Sequence, residues 1–263
     1  MAPIVEARGL NFRYGRAPAI DRSETWTLSG LSLDIAADST LGVVGESGSG
    51  KSTLVRVLCG LLHHQEGEVS FDGRDINDWI KRSPQDLRRR NQIVFQSPRR
   101  SLDPRMSIRR ALGQPVRALE RRTPSEDELA DWLSRVGLGV EILPRFPHQL
   151  SGGQLQRVGI ARALSVGPAV LYADEPVSAL DVSVQGQVLN LLMDVRSQLG
   201  LTLVMVSHDL GVVSRLCENV IVLKNGVIVE AGRTSNVLAN PQDPYTASLV
   251  TAARTVSLAG THS

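Results

Sequence analysis

The chain has 263 residues, with 29 Lys and Arg set against 27 Asp and Glu and a net charge of +2, so no overall field marks a nucleic-acid binder. That length suits one large α/β domain with a subdomain and a substantial buried core. Cys59 and Cys217 lie far apart in apolar helical patterns without C-x-x-C spacing, which points to buried reduced thiols rather than a disulfide or metal site. Met1 to Arg8 shows no basic segment leading into an apolar core, and no apolar run approaches the ~20 residues of a spanning helix. A chain soluble by itself, meeting a membrane only through a partner, is expected. Basic runs at Arg88-Arg89-Arg90, Arg99-Arg100 with Arg105, Arg109-Arg110 and Arg121-Arg122 read first as solvated helix faces and second as docking points for an anionic surface.

Ile4 to Leu10 and Leu31 to Ile35 read as short strands, the second alternating Leu31, Leu33 and Ile35 with Ser32 and Asp34. Between them, Gly15 to Gly30 reads as a loop with a hairpin, preceded by Tyr14, whose ring could stack on an adenine or simply pack. Thr40 to Val44 is an apolar strand. It runs into Gly45-Glu46-Ser47-Gly48-Ser49-Gly50-Lys51-Ser52, which fits G-x-x-x-x-G-K-S/T at every fixed position and leads into an apolar helix from Thr53. Glycines at those positions let backbone N–H groups turn inward, where a helix N-terminus already favours an anion. Lys51 suits the terminal phosphates of a nucleotide and the Ser52 hydroxyl suits Mg²⁺.

Gly67 to Gly73 reads as a strand ending in a turn and Ile93 to Phe95 as another apolar strand, closing on Gln96. From Ser97 to about Gly167 the pattern becomes helical, and Pro98, Pro104, Pro115, Pro124, Pro144 and Pro147 predict short helices. Ser125-Glu126-Asp127-Glu128 opens one whose apolar stripe is Leu129, Trp132, Leu133 and Val136. Leu150-Ser151-Gly152-Gly153-Gln154 opens another, either a second anion-binding terminus or a helix cap. Ala169 to Ala173 is a buried strand ending in Asp174-Glu175, carboxylates at the sheet edge where open α/β folds bind ligands. Asp174 suits Mg²⁺ and Glu175 suits polarisation of an attacking water. After Ser178-Ala179-Leu180-Asp181, Val184, Val188, Leu192, Val195 and Leu199 mark the core face of a long helix. The strand Leu203 to Val206 ends at Ser207-His208-Asp209, which gives His208 a catalytic position. Val220 to Glu230 is a hairpin turning at Asn225-Gly226, and two short helices flanking Asn240 to Tyr245 finish the chain, with a frayed end.

In this order the motifs resemble ATP-binding cassette ATPases over essentially the whole chain, with LSGGQ at 150 to 154 the most specific of them. The resemblance implies a phosphate-loop NTPase of α/β class: a RecA-like core with an antiparallel β subdomain at about 1–96 and 165–232, a helical signature subdomain at about 97–164 and a helical tail at 233–263. It implies ATP and Mg²⁺ as ligands, with two cassettes pairing head to tail and each ATP held between one phosphate loop and the other chain's LSGGQ segment. Nucleotide contacts would come from Tyr14, from Gly45 through Thr53, from Ser151, Gly152, Gly153 and Gln154, and from Asp181. Ser52, Gln96 and Asp174 would serve the metal. Glu175 would be the general base, His208 would contact the γ-phosphate, and Gln96 would sense Mg²⁺ and water and relay to the transport partner.

A narrower likeness lies in Asp174 to Gln185, Ser101 to Met106 and Asn240 to Thr246, which are similar to the dipeptide, oligopeptide and nickel importer group. That likeness implies a second cassette, identical or paralogous, two integral-membrane permeases, a substrate-binding protein and a peripheral place on the cytoplasmic face of a bacterial inner membrane. Ser97 stands where that group usually has an acidic residue, Asp103 where asparagine is common, and the sequence stops soon after Pro244-Tyr245 without the cysteine-bearing extension of many peptide-transporting members. The cargo class is therefore a peptide, nickel or a metal chelate, or another small solute. A cassette subunit of a soluble phosphonate-degrading complex is the alternative. Nucleic-acid cassettes fit less well, for the chain has neither long heptad coiled coils nor a second set of motifs.

Overall fold

The computed structural model describes residues 2–15 and 26–259, so most of the loop and hairpin expected between Gly15 and Gly30 lies outside the described residues. In chain order the elements are β1 (Pro3–Phe12), β2 (Leu28–Ala36), β3 (Thr40–Val44), α1 (Lys51–Leu58), β4 (Glu66–Phe71), β5 (Arg74–Asp75) and α2 (Ile76–Arg82). There follow α3 (Pro84–Arg90), β6 (Asn91–Val94), α4 (Pro98–Ser101), α5 (Ile108–Leu112), α6 (Gln114–Leu119), α7 (Glu126–Arg135), α8 (Gly152–Leu164), β7 (Val170–Asp174) and α9 (Val182–Leu199). The chain closes with β8 (Thr202–Val206), α10 (Leu210–Leu216), β9 (Asn219–Lys224), β10 (Val227–Arg233), α11 (Thr234–Ala239) and α12 (Pro244–Ala259). Two compact units divide it: Met1–Arg82 with Val204–Ser263, and Ser83–Leu203.

In the first unit, β2, β1, β4 and β5 form an antiparallel sheet in that order, with Val5 opposite both Ile35 and Phe71. The alternation along β2 is realised: Leu31, Leu33 and Ile35 are buried, Ser32 and Asp34 exposed. All five residues of β3 are buried, and the strand pairs in parallel with β9 from Leu41 opposite Asn219 to Val44 opposite Val222. A strand covered on both faces needs no polar alternation, which is why Thr40 to Val44 reads as one apolar run. Strands β9 and β10 close through Asn225 and Gly226, at φ 48° and 77°, the paired positive values of the tight hairpin turn that Asn-Gly favours. The second of the two terminal helices is longer than expected: α12 runs through Ala259. Its start is stabilised by the Asp243 carboxylate, which accepts the Tyr245 N–H at 2.8 Å, and Tyr245 and Val250 are buried along it.

In the second unit, β6 and β7 pair in parallel from Asn91 opposite Val170 to Val94 opposite Ala173. The prolines act as helix starters, Pro98 opening α4 and Pro115 lying in the first turn of α6. Helix α7 begins with a reciprocal cap: Ser125 Oγ accepts the Glu128 N–H at 3.2 Å, and Glu128 Oε2 accepts the Ser125 N–H at 2.8 Å. Its stripe of Leu129, Trp132, Leu133 and Val136 is buried. Along α9, Val188, Leu192 and Val195 are buried, whereas Leu199 is 41% exposed. Leu199 is the last helical residue, and Gly200 at φ 61° turns the chain before the core face comes round again.

Candidate nucleotide site

The phosphate loop occupies the six residues between the last of β3 and the first of α1. Gly45 has φ 150°, and a Cβ there would lie 2.1 Å from the Leu223 carbonyl oxygen, so only glycine fits beneath this turn. Gly45 is buried, while Glu46, Ser47 and Gly48 are exposed. Lys51 is buried at 5% exposure, and its Nζ donates to the Gly45 and Glu46 carbonyl oxygens at 2.7 Å each. The ammonium is thus folded back onto the loop that carries it. Ser49 Oγ is buried with no hydrogen-bond partner among the described residues. A lysine held on replaceable carbonyl contacts and an unpartnered hydroxyl within the loop fit a polyphosphate group. Among the described residues no group of three or more His, Cys, Asp or Glu side chains is gathered as a metal-ligand set.

Tyr14 shares a 3.1 Å hydrogen bond between its phenol and Thr53 Oγ1, on the first turns of α1. Its ring meets Phe12 edge-on, with centroids 5.0 Å apart, and 54% of the residue is exposed. The sequence thereby sets an open aromatic face beside the phosphate loop. His208 is placed by the residues on either side of it. Ser207 Oγ accepts the Asp209 N–H, and the Asp209 carboxylate caps α10 by accepting the Gly211 N–H at 2.7 Å. His208 lines a cavity of about 800 Å³ that Val44 and Gly45 also line.

In the second unit, Asp174 ends β7 and is 4% exposed. Glu175 turns out of the strand at φ 47°, a left-handed conformation costly for a residue with a Cβ. Its carbonyl accepts the Ser178 hydroxyl at 3.2 Å, and its carboxylate accepts Gln96 Nε2 at 3.0 Å. Strands β6 and β7, paired in parallel, deliver Gln96 and Glu175 side by side. Asp181 is the N-cap residue of α9, though its side chain makes no capping bond.

The LSGGQ segment forms the helix cap that the sequence allowed. Ser151 Oγ accepts the Gln154 N–H at 3.2 Å, and Gln154 Oε1 accepts the Ser151 N–H at 3.0 Å, a complete helix cap. The serine hydroxyl keeps its own donor for an anion. A Cβ at Gly153 would lie 2.5 Å from Val184 Cγ1, and one at Gly152 would lie 3.3 Å from Leu180 Cδ2. The glycines therefore let α8 approach the start of α9.

Tyr14, Gly45 to Thr53 and His208 belong to the first unit; Gln96, Ser151 to Gln154, Asp174, Glu175 and Asp181 belong to the second. One residue at the phosphate loop was missed by sequence reasoning. Tyr245 OH accepts the Glu46 N–H at 2.9 Å, across 199 positions of chain. Its Pro-Tyr motif stands out in the sequence, yet no spacing links it to the loop.

The fold, the phosphate loop and the capped LSGGQ helix define the class as the ATP-binding cassette ATPases. The chain belongs to the ABC transporter family, whose model matches residues 28–178. It is 42% identical over 252 residues to a putative peptide import ATP-binding protein of Brucella ovis, covering 95% of this chain and 78% of that one. It is 43% identical over 255 residues to the glutathione import ATP-binding protein GsiA of Salmonella paratyphi A. That match covers 95% of this chain, which spans 41% of the length of GsiA. Among solved structures, cbiO1 from Clostridium perfringens, part of the ABC transporter complex cbiONQ, superposes with a TM-score of 0.78 at 29% identity, covering 91% of this chain and 92% of that chain. The ATP-binding cassette MJ0796, a dimer in a post-hydrolysis state bound to ADP and Pi, superposes with a TM-score of 0.77 at 29% identity, covering 88% and 98%.

Proposed function

We propose that this chain is the ATP-hydrolysing subunit of a peptide importer, working as one of a pair of cassettes docked on two permeases at the cytoplasmic face of a bacterial membrane. The observation that carries the reading is the 3.0 Å bond from Gln96 to Glu175, which joins the residue suited to activate water to the one suited to report on it. The relatives' names favour peptides, small ones such as glutathione included, over nickel as the cargo delivered by a substrate-binding protein. The dimeric neighbour supports the pairing. No helix among the described residues is long and apolar enough to cross a membrane.

Phosphoryl transfer is catalysed by positioning and charge neutralisation more than by covalent chemistry. Lys51 exchanges its two carbonyl contacts for the β- and γ-phosphates. The N–H groups of the loop and of the first turn of α1 surround the same oxygens, and the Tyr14 ring stacks on the adenine. Mg²⁺ supplies positive charge at the triphosphate; the Ser52 hydroxyl, Asp174 and Gln96 are the residues that would hold it. Glu175 accepts the proton of the attacking water and Gln96 fixes its carboxylate. His208 donates toward the γ-phosphate. The partner's LSGGQ segment completes the donors around the phosphates, so closure of the pair and commitment to hydrolysis are one event.

Affinity purification of the chain from native membranes, with mass spectrometry of what stays bound with and without ATP, tests this. Two permeases and a cassette in the eluate are the expected result. Recovery of soluble enzymes alone overturns the importer reading in favour of a phosphonate-degrading complex.

A further inference from the structure

We propose that Tyr245, on the C-terminal helix, is a positioning residue for the phosphate loop, holding the Gly45–Glu46 turn in its phosphate-accepting shape. The inference rests on reading residues 45–52 as a nucleotide site.

The turn is gripped on both sides of its peptide groups. Its two carbonyl oxygens accept Lys51 Nζ, and the Glu46 N–H donates to the Tyr245 phenol at 2.9 Å. The tyrosine contact uses the Glu46 N–H and the lysine contacts use the two carbonyl oxygens, so departure of Lys51 toward a phosphate does not itself break the tether. Glu46 is exposed, so without the phenol this N–H would turn to water and loosen the turn that Gly45 makes at φ 150°.

Tyr245 is itself held in place by three neighbouring parts of the same unit. It is 9% exposed, and its own N–H is capped by Asp243 at 2.8 Å. The N–H groups of Gln242 and Asp243 both donate to the Glu230 carboxylate on β10, at 3.0 Å each. Lys224 Nζ lies 4.7 Å from the centre of the tyrosine ring, a cation over an aromatic face. Lys224 directly follows Leu223, whose carbonyl seats Gly45. The end of β9 thus carries the floor of the loop and the clamp on its tether in successive residues.

Tyr245→Phe removes the acceptor and keeps the ring, so it separates the tether from simple packing. Two readouts on the full chain decide: amide exchange of the Glu46 segment without nucleotide, and the dissociation constant for ATP. Loss of one hydrogen bond should speed exchange there and weaken ATP by about three- to tenfold, with other strands unchanged and the melting temperature within a few degrees. Lys224→Met, which leaves the phenol but loosens its ring, should move both readouts the same way and less far. Wild-type exchange and affinity in Tyr245→Phe overturn the proposal while leaving the nucleotide site intact, as does a uniform rise in exchange across the unit. A wild-type chain that does not bind ATP overturns the site reading and this inference together.

Discussion

Gln96 and Glu175, 79 positions apart, share a hydrogen bond in which Nε2 donates to Oε2 across 3.0 Å. The bond ties the Glu175 carboxylate to the start of the helical segment. Glu175→Gln should bind ATP with near wild-type affinity while phosphate release falls by about 10²- to 10⁴-fold, the range of a lost general base. The dimer should then persist on size exclusion with ATP. Phosphate release at the wild-type rate would remove Glu175 from that role.

Lys51→Ala should act on binding rather than on the chemical step alone. It withdraws the one cation of the loop, a charge-assisted contact of about 1.5 to 3 kcal/mol, so ATP affinity should fall by about 10- to 100-fold. It also strips the Gly45 and Glu46 carbonyls of their partner. Equilibrium binding of a fluorescent nucleotide measures this, and unaltered binding would refute the assignment of the loop.

The cap of α7 carries a clear pH signature. The Arg122 side chain, helped by the Ser125 N–H, holds the Glu128 carboxyl down to about 2 against a weaker opposing effect of desolvation. A depressed carboxyl contributes stability above its unfolded value and loses it as pH falls through the folded one. The window therefore runs from about 4.5 down to about 2. Amide exchange at the start of α7 should stay protected, after correction for intrinsic rates, through pH 4 and fade only toward the lower limit, and Glu128→Gln should abolish that dependence.

Both thiols should be inert in the native chain. Burial, with the neighbouring Glu218 charge, pushes Cys217 up to about 12, so at pH 8 only ~10⁻⁴ of it is thiolate. Cys59 is 8% exposed. A thiol-reactive dye should label neither residue within the time that labels a denatured sample fully; rapid native labelling of Cys217 would contradict its burial.

Much of the site was legible because its chemistry is carried by short contiguous runs. Glycines at fixed offsets from Lys51, and acids directly after an apolar strand, mark positions that contiguous backbone alone places at a strand end. The stripes of α7 and α9 were legible for a different reason, since they span enough turns for periodicity to show. Helices α2, α3 and α10 were not, each being seven residues long, too short for a repeat to stand out. Their boundary signals, Pro84 after Ser83 and the capping Asp209, are weak taken singly. The Tyr245 contact was hidden because a tether between residues 46 and 245 is a property of packing, and no local pattern encodes it.

The glycines of LSGGQ have a packing role besides the ligand contacts proposed for them, and a double substitution isolates it. A Cβ at Gly153 would come within 2.5 Å of Val184 Cγ1 but 3.8 Å of Val184 Cβ and 4.0 Å of Cγ2, so of the Val184 methyls Cγ1 alone clashes. Gly153→Ala should therefore destabilise by ~1 to 3 kcal/mol, the usual cost of overpacking. Val184→Ala removes those methyls and leaves an ordinary contact. Gly153→Ala should then be harmless in the Val184→Ala background, or mildly stabilising, because alanine is favoured over glycine within a helix by roughly 0.5 to 1 kcal/mol. Thermal melts of the four proteins close the cycle. A full penalty for Gly153→Ala in both backgrounds would show that α9 is not what excludes a side chain at this position.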